Sequence, residues 1–289
     1  MRLFILTADI EPDERVPQPG ARPEWNGLPL MIERLEALRR RHPGARFNWF
    51  VRVDPQIEVL YGDAAWGLRR YRAQLDALAA KGDAIGLHVH PFRWERAGWV
   101  SDYGDAAWVR HCIATAVEGF AGVMGRRASL FRFGDRWMSN DAMAELERQG
   151  IEIDLSLEPG SRRLPGMTPA ERSRGALPDL RGVPRRPYRP SRRNYKREPY
   201  FRGGARNLWE LPVTTAPIYP RADHIPLNLG LKPEWVRRIL ASDADVMVSV
   251  ARTGDLTQDD VRAAFDANLA AVESTRRELT SALALRPSR

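Results

Sequence analysis

The chain has 289 residues, 43% hydrophobic and 28% charged, a balance that excludes a disordered or collagen-like polymer and a small stapled module. A single cysteine, Cys112, excludes an internal disulfide and a cysteine-based zinc cluster, and no apolar run approaches the roughly 20 residues of a membrane-spanning helix. The formal net charge of +8 is unevenly spread: residues 159–206 hold 14 Lys and Arg against three acids, a net of +11, which leaves −3 for the rest.

The opening Leu3-Phe4-Ile5-Leu6-Thr7-Ala8 runs straight into Asp9, Glu11, Asp13 and Glu14. It is too short for a secretory leader and lacks a small-residue cleavage site, so residues 2–9 read as the first buried strand of a cytoplasmic protein. A helix is expected over 28–41, a strand over 45–51, and a helix over roughly 66–81 that closes on Lys81-Gly82. A strand follows at 84–89, then a helix over 104–124, a short strand at 129–131, a helix over 139–149 closing on Gly150, and a strand at 151–155. The basic stretch comes next. Its eight prolines and six glycines exclude a long helix or a central strand. Beyond it lie a strand at 208–213, a helix at 233–242, a strand at 245–250, and a last helix over 258–283 with Thr257 as N-cap. Strands alternating with helices predict a parallel sheet in a single domain, 1–289. About seven strands favour a closed or nearly closed β/α barrel. A doubly wound open sheet is the structural alternative.

The basic insertion, 159–206, has two readings. One is a solvated arginine-rich loop with a few docking points. The other is an arm or lid that holds an anionic ligand, since guanidinium pairs with phosphate and carboxylate. Tyr188, Tyr195, Tyr200 and Phe201 lie among its arginines and offer stacking surfaces for a sugar or base. No known nucleic-acid-binding motif surrounds the patch, so a nucleic-acid partner is the weaker expectation.

In a parallel barrel the chemistry sits at the C-terminal strand ends. Side chains alternate faces along a strand, so Asp9 and Glu11 point the same way, and so do His88 and His90. Two carboxylates and two imidazoles suit zinc or another divalent first-row ion with a position left for water. The alternative is a pair of hydrogen-bonded barrel histidines. Arg132 enters the same mouth, either to orient a carboxylate or as an ordinary ion pair. Asp54 and Asp135 add carboxylates at the rim, and Asp154 and Glu210 read as structural hydrogen-bond partners. Trp94 and Trp99, just after the histidines, are placed to line a sugar site, whereas Cys112 reads as a packed thiol.

These segments, in this order, resemble the polysaccharide deacetylase family, carbohydrate esterase family four. The resemblance is carried by Leu6-Thr7-Ala8-Asp9-Ile10-Glu11-Pro12-Asp13, Gly86-Leu87-His88-Val89-His90-Pro91, and Phe131-Arg132-Phe133-Gly134 with Trp137. It continues through Ile153-Asp154-Leu155-Ser156-Leu157-Glu158-Pro159-Gly160 and Trp209-Glu210-Leu211-Pro212-Val213-Thr214. Arg186-Pro187-Tyr188-Arg189-Pro190-Ser191 also looks like a stretch of bacterial members, and the match spans about residues 3–254.

The resemblance implies a distorted (β/α)7 barrel that removes N- or O-acetyl groups from sugars with a divalent metal, commonly zinc. Carried over, Asp9 is the general base, Arg132 orients it, and Glu11, His88 and His90 hold the metal. The metal then polarises the amide carbonyl and lowers the pKa of its water. Three features depart from the family pattern. The acids are spaced Asp9, Glu11, Asp13 rather than adjacent, so Asp9 and Glu11 are interchangeable on sequence alone. The histidines are two apart rather than four. The late strand reads Val248-Ser249-Val250-Ala251-Arg252-Thr253-Gly254, with no histidine to serve as general acid. Arg252 near that position can bind an acidic group or an oxyanion but cannot give up its proton. His224, Asp54 and Asp135 are the candidate replacements.

The leading expectation is therefore a hydrolase of carbon–nitrogen amide bonds, a deacetylase acting on an acetylated amino sugar or glycan that carries phosphate or carboxylate. Asp54, Trp94, Asp135 and Arg252 are expected at the substrate. The alternative is a catalytically impaired barrel that binds a glycan or polyanion. A metal-dependent hydrolase of a non-sugar amide is a third option, because fold does not fix substrate.

Overall fold

The computed structural model describes residues 2–95, 98–165, 174–201, 203–217 and 224–285. The main sheet contains β1 (Leu3–Ile10), β2 (Asn48–Arg52), β3 (Ala84–Val89), β6 (Leu130–Phe133), β7 (Ile153–Asp154), β10 (Trp209–Glu210), β13 (Val246–Ser249) and β14 (Glu278–Leu279). Two short strands, β4 (Phe92–Glu95) and β5 (Gly98–Ser101), form a hairpin behind β3. Two smaller hairpins pair β8 (Leu164–Pro165) with β9 (Ala176–Leu177) and β11 (Thr215–Pro217) with β12 (His224–Pro226). The main sheet is parallel throughout, in the order β10-β7-β6-β3-β2-β1-β13, with β14 also on β1. Past β10 the chain reaches back to β13: the Thr214 N–H donates to the Val248 carbonyl at 2.9 Å, and the Val248 N–H to Thr214 Oγ1 at 2.9 Å. The sheet thus curls into the expected distorted (β/α)-type barrel.

Strands of a parallel sheet are buried on both faces, which is why β1 is apolar on both. Its even positions Phe4, Leu6, Ala8 and Ile10 join the core beneath the helices. Ile5 points the other way, into a second apolar cluster with Phe50, Leu130, Ile153, Leu211, Val213 and Val248 that floors the barrel. The period of two then carries the interior row from apolar to polar: Ile5, Thr7, Asp9; Phe50, Arg52; Gly86, His88; Leu130, Arg132. The polar groups therefore gather at the C-terminal end.

The helices are α1 (Gly27–Arg41), α2 (Pro55–Tyr61), α3 (Trp66–Arg70), α4 (Arg72–Ala80), α5 (Ala106–Met124), α6 (Asn140–Arg148), α7 (Pro233–Leu240) and α8 (Asp259–Ser274). None among the described residues is long and apolar enough to cross a membrane. Four details differ from the sequence expectation. The helix α2, capped by Asp54 and opened by Pro55, was not anticipated. The segment 66–81 breaks at Tyr71 into α3 and α4. The last helix ends at Ser274 rather than 283, because the chain turns at Arg276 (φ 53°) and lays Leu279 against β1. Thr257 does not cap it; its hydroxyl donates to the Gly254 carbonyl at 2.8 Å within a 3-10 turn, Gly254–Thr257.

The insertion is docked through two of its aromatics. Tyr188 pairs its backbone with Glu210 in both directions, at 3.0 and 2.8 Å, and so covers the free edge of β10. Its hydroxyl donates to the Tyr195 carbonyl at 2.6 Å, and both rings are buried. Tyr188 and Tyr195 are therefore core groups, not stacking surfaces, because burying an aromatic with its hydroxyl satisfied is favourable. Residues 166–173 of the insertion, and Asp223 in the loop before His224, lie outside the described residues.

A candidate active site at the strand ends

Glu11 is buried just past the end of β1. His88 Nε2 lies 3.9 Å from its Oε1, and His90 Nε2 lies 3.9 Å from its Oε2. The two imidazole Nε2 atoms are 3.0 Å apart. Among the described residues, Glu11, His88 and His90 are the group whose ligand atoms converge, all within 4.8 Å of one another. Asp9 lies two residues before Glu11 on the same face. Arg132 Nη1 donates to Asp9 Oδ1 at 3.1 Å, and Arg132 Nε is spent on the Leu155 carbonyl at 3.1 Å. The guanidinium also lies over the Phe50 ring, 4.9 Å from its centroid. Three contacts thus fix its plane. Sequence alone left Asp9 and Glu11 interchangeable; the structure puts Asp9 with Arg132 and Glu11 with the histidines.

Asp13, the third acid of the segment, is elsewhere. Its carboxylate accepts the Asn26 and Gly27 N–H groups at 2.8 and 3.0 Å and so serves the start of α1.

The environment of the His90 imidazole favours its neutral form. Burial pushes the His90 pKa down to about 4, with Arg52 acting the same way and Asp135 opposing. The Asp135 Oδ2 atom lies 3.4 Å from His90 Nδ1, so a carboxylate stands behind the ring. Asp135 in turn accepts from the Tyr103 hydroxyl at 2.9 Å and from Arg15. Burial pushes its carboxyl up, yet His90 and Arg15 hold it well below the usual range. Asp135 stands in the left-handed region (φ 58°), which swings its carboxylate back over the ring. The preceding Gly134 makes that approach possible. A Cβ there would come within 1.8 Å of His90 Cε1.

Glu11 has further neighbours that the sequence did not advertise. Arg52 Nη1 donates to its Oε2 at 3.0 Å, and Arg252 Nε donates to Oε1. Burial pushes the Glu11 carboxyl up, but Arg252, His88, Arg52 and His90 together hold it well below the usual range. The donor set fits a divalent ion: one carboxylate, two imidazoles, and a second carboxylate behind one of them. The two guanidiniums already neutralise part of Glu11, an uncommon feature for a ligand.

The expected substrate contacts fare unevenly. Asp54 is wholly enclosed: Oδ1 accepts from the Gln56 and Ile57 N–H groups, and Oδ2 from Arg52 Nε at 2.8 Å and the His90 N–H at 3.1 Å. It braces the site and offers no free oxygen to a substrate. Asp135 is spent on Arg15, Tyr103 and His90, as described. Trp94 is half-buried on the hairpin, edge-on to Trp99 with centroids 5.2 Å apart. Arg252 is open to solvent, its side chain 24% exposed; Nη1 bonds Asp255 at 2.8 Å, and buried Nη2 has no hydrogen-bond partner. His224 packs beside Gly160 and Arg185. Cys112 is buried, and burial pushes its thiol up, as a packed thiol requires.

Asp154 and Glu210 turn out to be register partners on β7 and β10. Burial pushes both carboxyls up; Asp154 pushes Glu210 further, well above its ordinary value. Glu210 therefore keeps its proton to higher pH in the folded chain than in the unfolded one. Stability from this source is full at or below the ordinary carboxylate pKa of about 4.3 and is lost as pH rises toward the folded value. Glu210→Gln should remove that loss. Its melting temperature relative to the parent should climb as pH rises above the ordinary carboxylate range; a pH-independent difference would contradict the raised Glu210 pKa.

No protein-family model and no curated protein matches the sequence. Solved structures do match in shape. A candidate glycoside hydrolase/deacetylase from Parabacteroides distasonis superposes with a TM-score of 0.63 at 13% identity, over 96% of this chain and 69% of that one. Puue allantoinase superposes with a TM-score of 0.58 at 14% identity, over 99% and 92% of the two chains. A candidate polysaccharide deacetylase from Mycobacterium smegmatis gives 0.50 at 14% identity, over 98% and 87%. At such identities the likeness establishes the fold, and the chain has the barrel that polysaccharide deacetylases share.

Proposed function

We propose that this chain is a metal-dependent hydrolase that removes the acetyl group from an N-acetylated amino sugar bearing an anionic substituent. One observation carries the reading: the Asp9–Arg132 pair stands on the same strand face as the Glu11–His88–His90 cluster, two residues away. A divalent ion such as zinc, held by those three residues, would supply Lewis acidity to the acyl oxygen and to water. The chain's own groups do the rest. Asp9 takes the proton of the attacking water, and Arg132 keeps its carboxylate aimed. Arg252 offers its spare Nη2 to the developing oxyanion or to the anionic substituent. Asp255, bonded to Arg252 Nη1 at 2.8 Å, is the acid we assign to the leaving group. Burial pushes its carboxyl up against the pull of Arg252, which suits it to protonate the leaving amine.

A second reading has one observation in its favour. Arg52 and Arg252 already compensate Glu11, so the pocket does not need a cation to be stable. On that reading the barrel binds an anionic glycan without cleaving it. Metal analysis separates the two. The parent should carry close to one divalent ion per chain, the His88→Ala/His90→Ala double variant should carry none, and acetate release from N-acetylglucosamine 6-phosphate should vanish with it. A parent that takes up no zinc, cobalt or nickel leaves the binding-protein reading standing.

A further inference from the structure

The insertion carries an exposed aromatic step that neither the barrel nor the mouth cluster uses. Tyr200 is 91% exposed and Phe201 61% exposed, while Tyr188 and Tyr195 of the same segment are buried. Large rings left in water cost free energy unless something covers them. They border a groove of about 630 Å³ with Tyr188, Arg189, Glu198 and Trp209. Trp209 packs on the apolar floor of the barrel, so the groove lies at the floor end, away from Glu11 and the histidines.

The groove is built rather than frayed. The Phe201 ring rests on Gly204, where a Cβ would meet the ring at 3.2 Å and Pro199 at 3.1 Å. The Arg189 guanidinium lies over the Trp209 ring, 5.9 Å from its centroid, and its Nη2 reaches Asn207 Oδ1 at 3.3 Å. Its Nε is buried with no hydrogen-bond partner. Arg197 Nη1 touches the Tyr200 hydroxyl at 3.4 Å. Glu198 pairs with Arg186 at 2.8 Å and remains half-open as an acceptor.

We propose that this groove binds an acidic polysaccharide, independently of the hydrolase site. Flat rings stack on the apolar faces of pyranoses, and guanidiniums meet uronate carboxylates in a segment whose net charge is +11. Glu198 distinguishes a glycan from a nucleic acid. Sugar hydroxyls can donate to it, whereas a phosphodiester backbone offers no donor.

Hyaluronan, dextran and a single-stranded oligothymidylate, titrated by calorimetry into the full chain at low salt, test this. Hyaluronan should bind, dextran and the oligonucleotide at least about tenfold more weakly. Tyr200→Ala and Phe201→Ala should each weaken hyaluronan about tenfold, the scale of one lost stacking contact. Both should leave the melting temperature and acetate release from the small substrate unchanged, since the rings are exposed. The proposal is overturned if hyaluronan does not bind, if the two variants bind it as the parent does, or if the oligonucleotide binds as tightly and depends on the same rings. Repeating the titration with Asp9→Asn protein separates the two readings: binding should persist there, whatever becomes of acetate release.

Discussion

Asp9→Asn protein should load metal as the parent does and release acetate about a thousandfold more slowly, the scale of a lost general base. Asparagine keeps the volume of the side chain and an oxygen that can still accept from Arg132, 3.1 Å away. What it loses is the ability to take a proton. Metal analysis of the desalted variant beside initial rates is the check. If metal and rate fall together, Asp9 is a ligand and the roles assigned to Asp9 and Glu11 are reversed. An unchanged rate would remove Asp9 from the chemistry altogether.

Arg52→Met should cost about 3–5 kcal/mol of stability, because it strands buried carboxylates without their partner. For a chain of this size that is roughly 10 °C in melting temperature. Arg52 has no exposed surface, and its guanidinium joins Glu11 at 3.0 Å, Asp54 at 2.8 Å and the Gln56 side chain. Methionine fills most of the space but leaves Glu11 and Asp54 facing each other inside the barrel. The deficit should narrow as pH falls into the carboxylate range, where the stranded acids take up protons. A loss below about 1 kcal/mol would mean that water or a cation reaches Glu11 once the guanidinium is gone.

The chemical groups of the site were easier to read than their supports. Asp9, Glu11, His88, His90 and Arg132 lie at strand ends, where a period of two sets direction and a residue's type nearly names its task. Arg52, Asp54 and Asp13 have the same chemistry at similar positions, yet they brace. Their roles depend on partners 13 to 41 residues away, or on helix starts that periodicity does not mark. Asp54 shows this best: the dipeptide Asp54-Pro55 is a helix-start signal, and reading it that way would have predicted both α2 and the loss of Asp54 as a substrate contact. The overlong last helix has a related cause. Leu279 continues the apolar spacing of α8, but it packs on β1 only after a turn through Arg276. Apolar spacing reports burial, and burial on a sheet looks the same as burial on a helix.

The place of β1 in the sheet has a consequence for the order of folding. Its strand neighbours include Val246–Ser249 and Glu278–Leu279, and the Thr7 hydroxyl donates to the Ser249 carbonyl, 242 residues away. Loop closure over such a separation is slow, and contacts of this kind form late. On the ribosome, the strand that bears Asp9 gains one edge partner early, from β2, and must wait for nearly the whole chain before it gains the other. Until then its apolar residues and the carboxylates Asp9 and Glu11 stand open together. The barrel and the side-chain cluster at its mouth are thus completed in one late event, and a chain halted before β13 would hold every expected metal ligand without the Arg252 that secures Glu11.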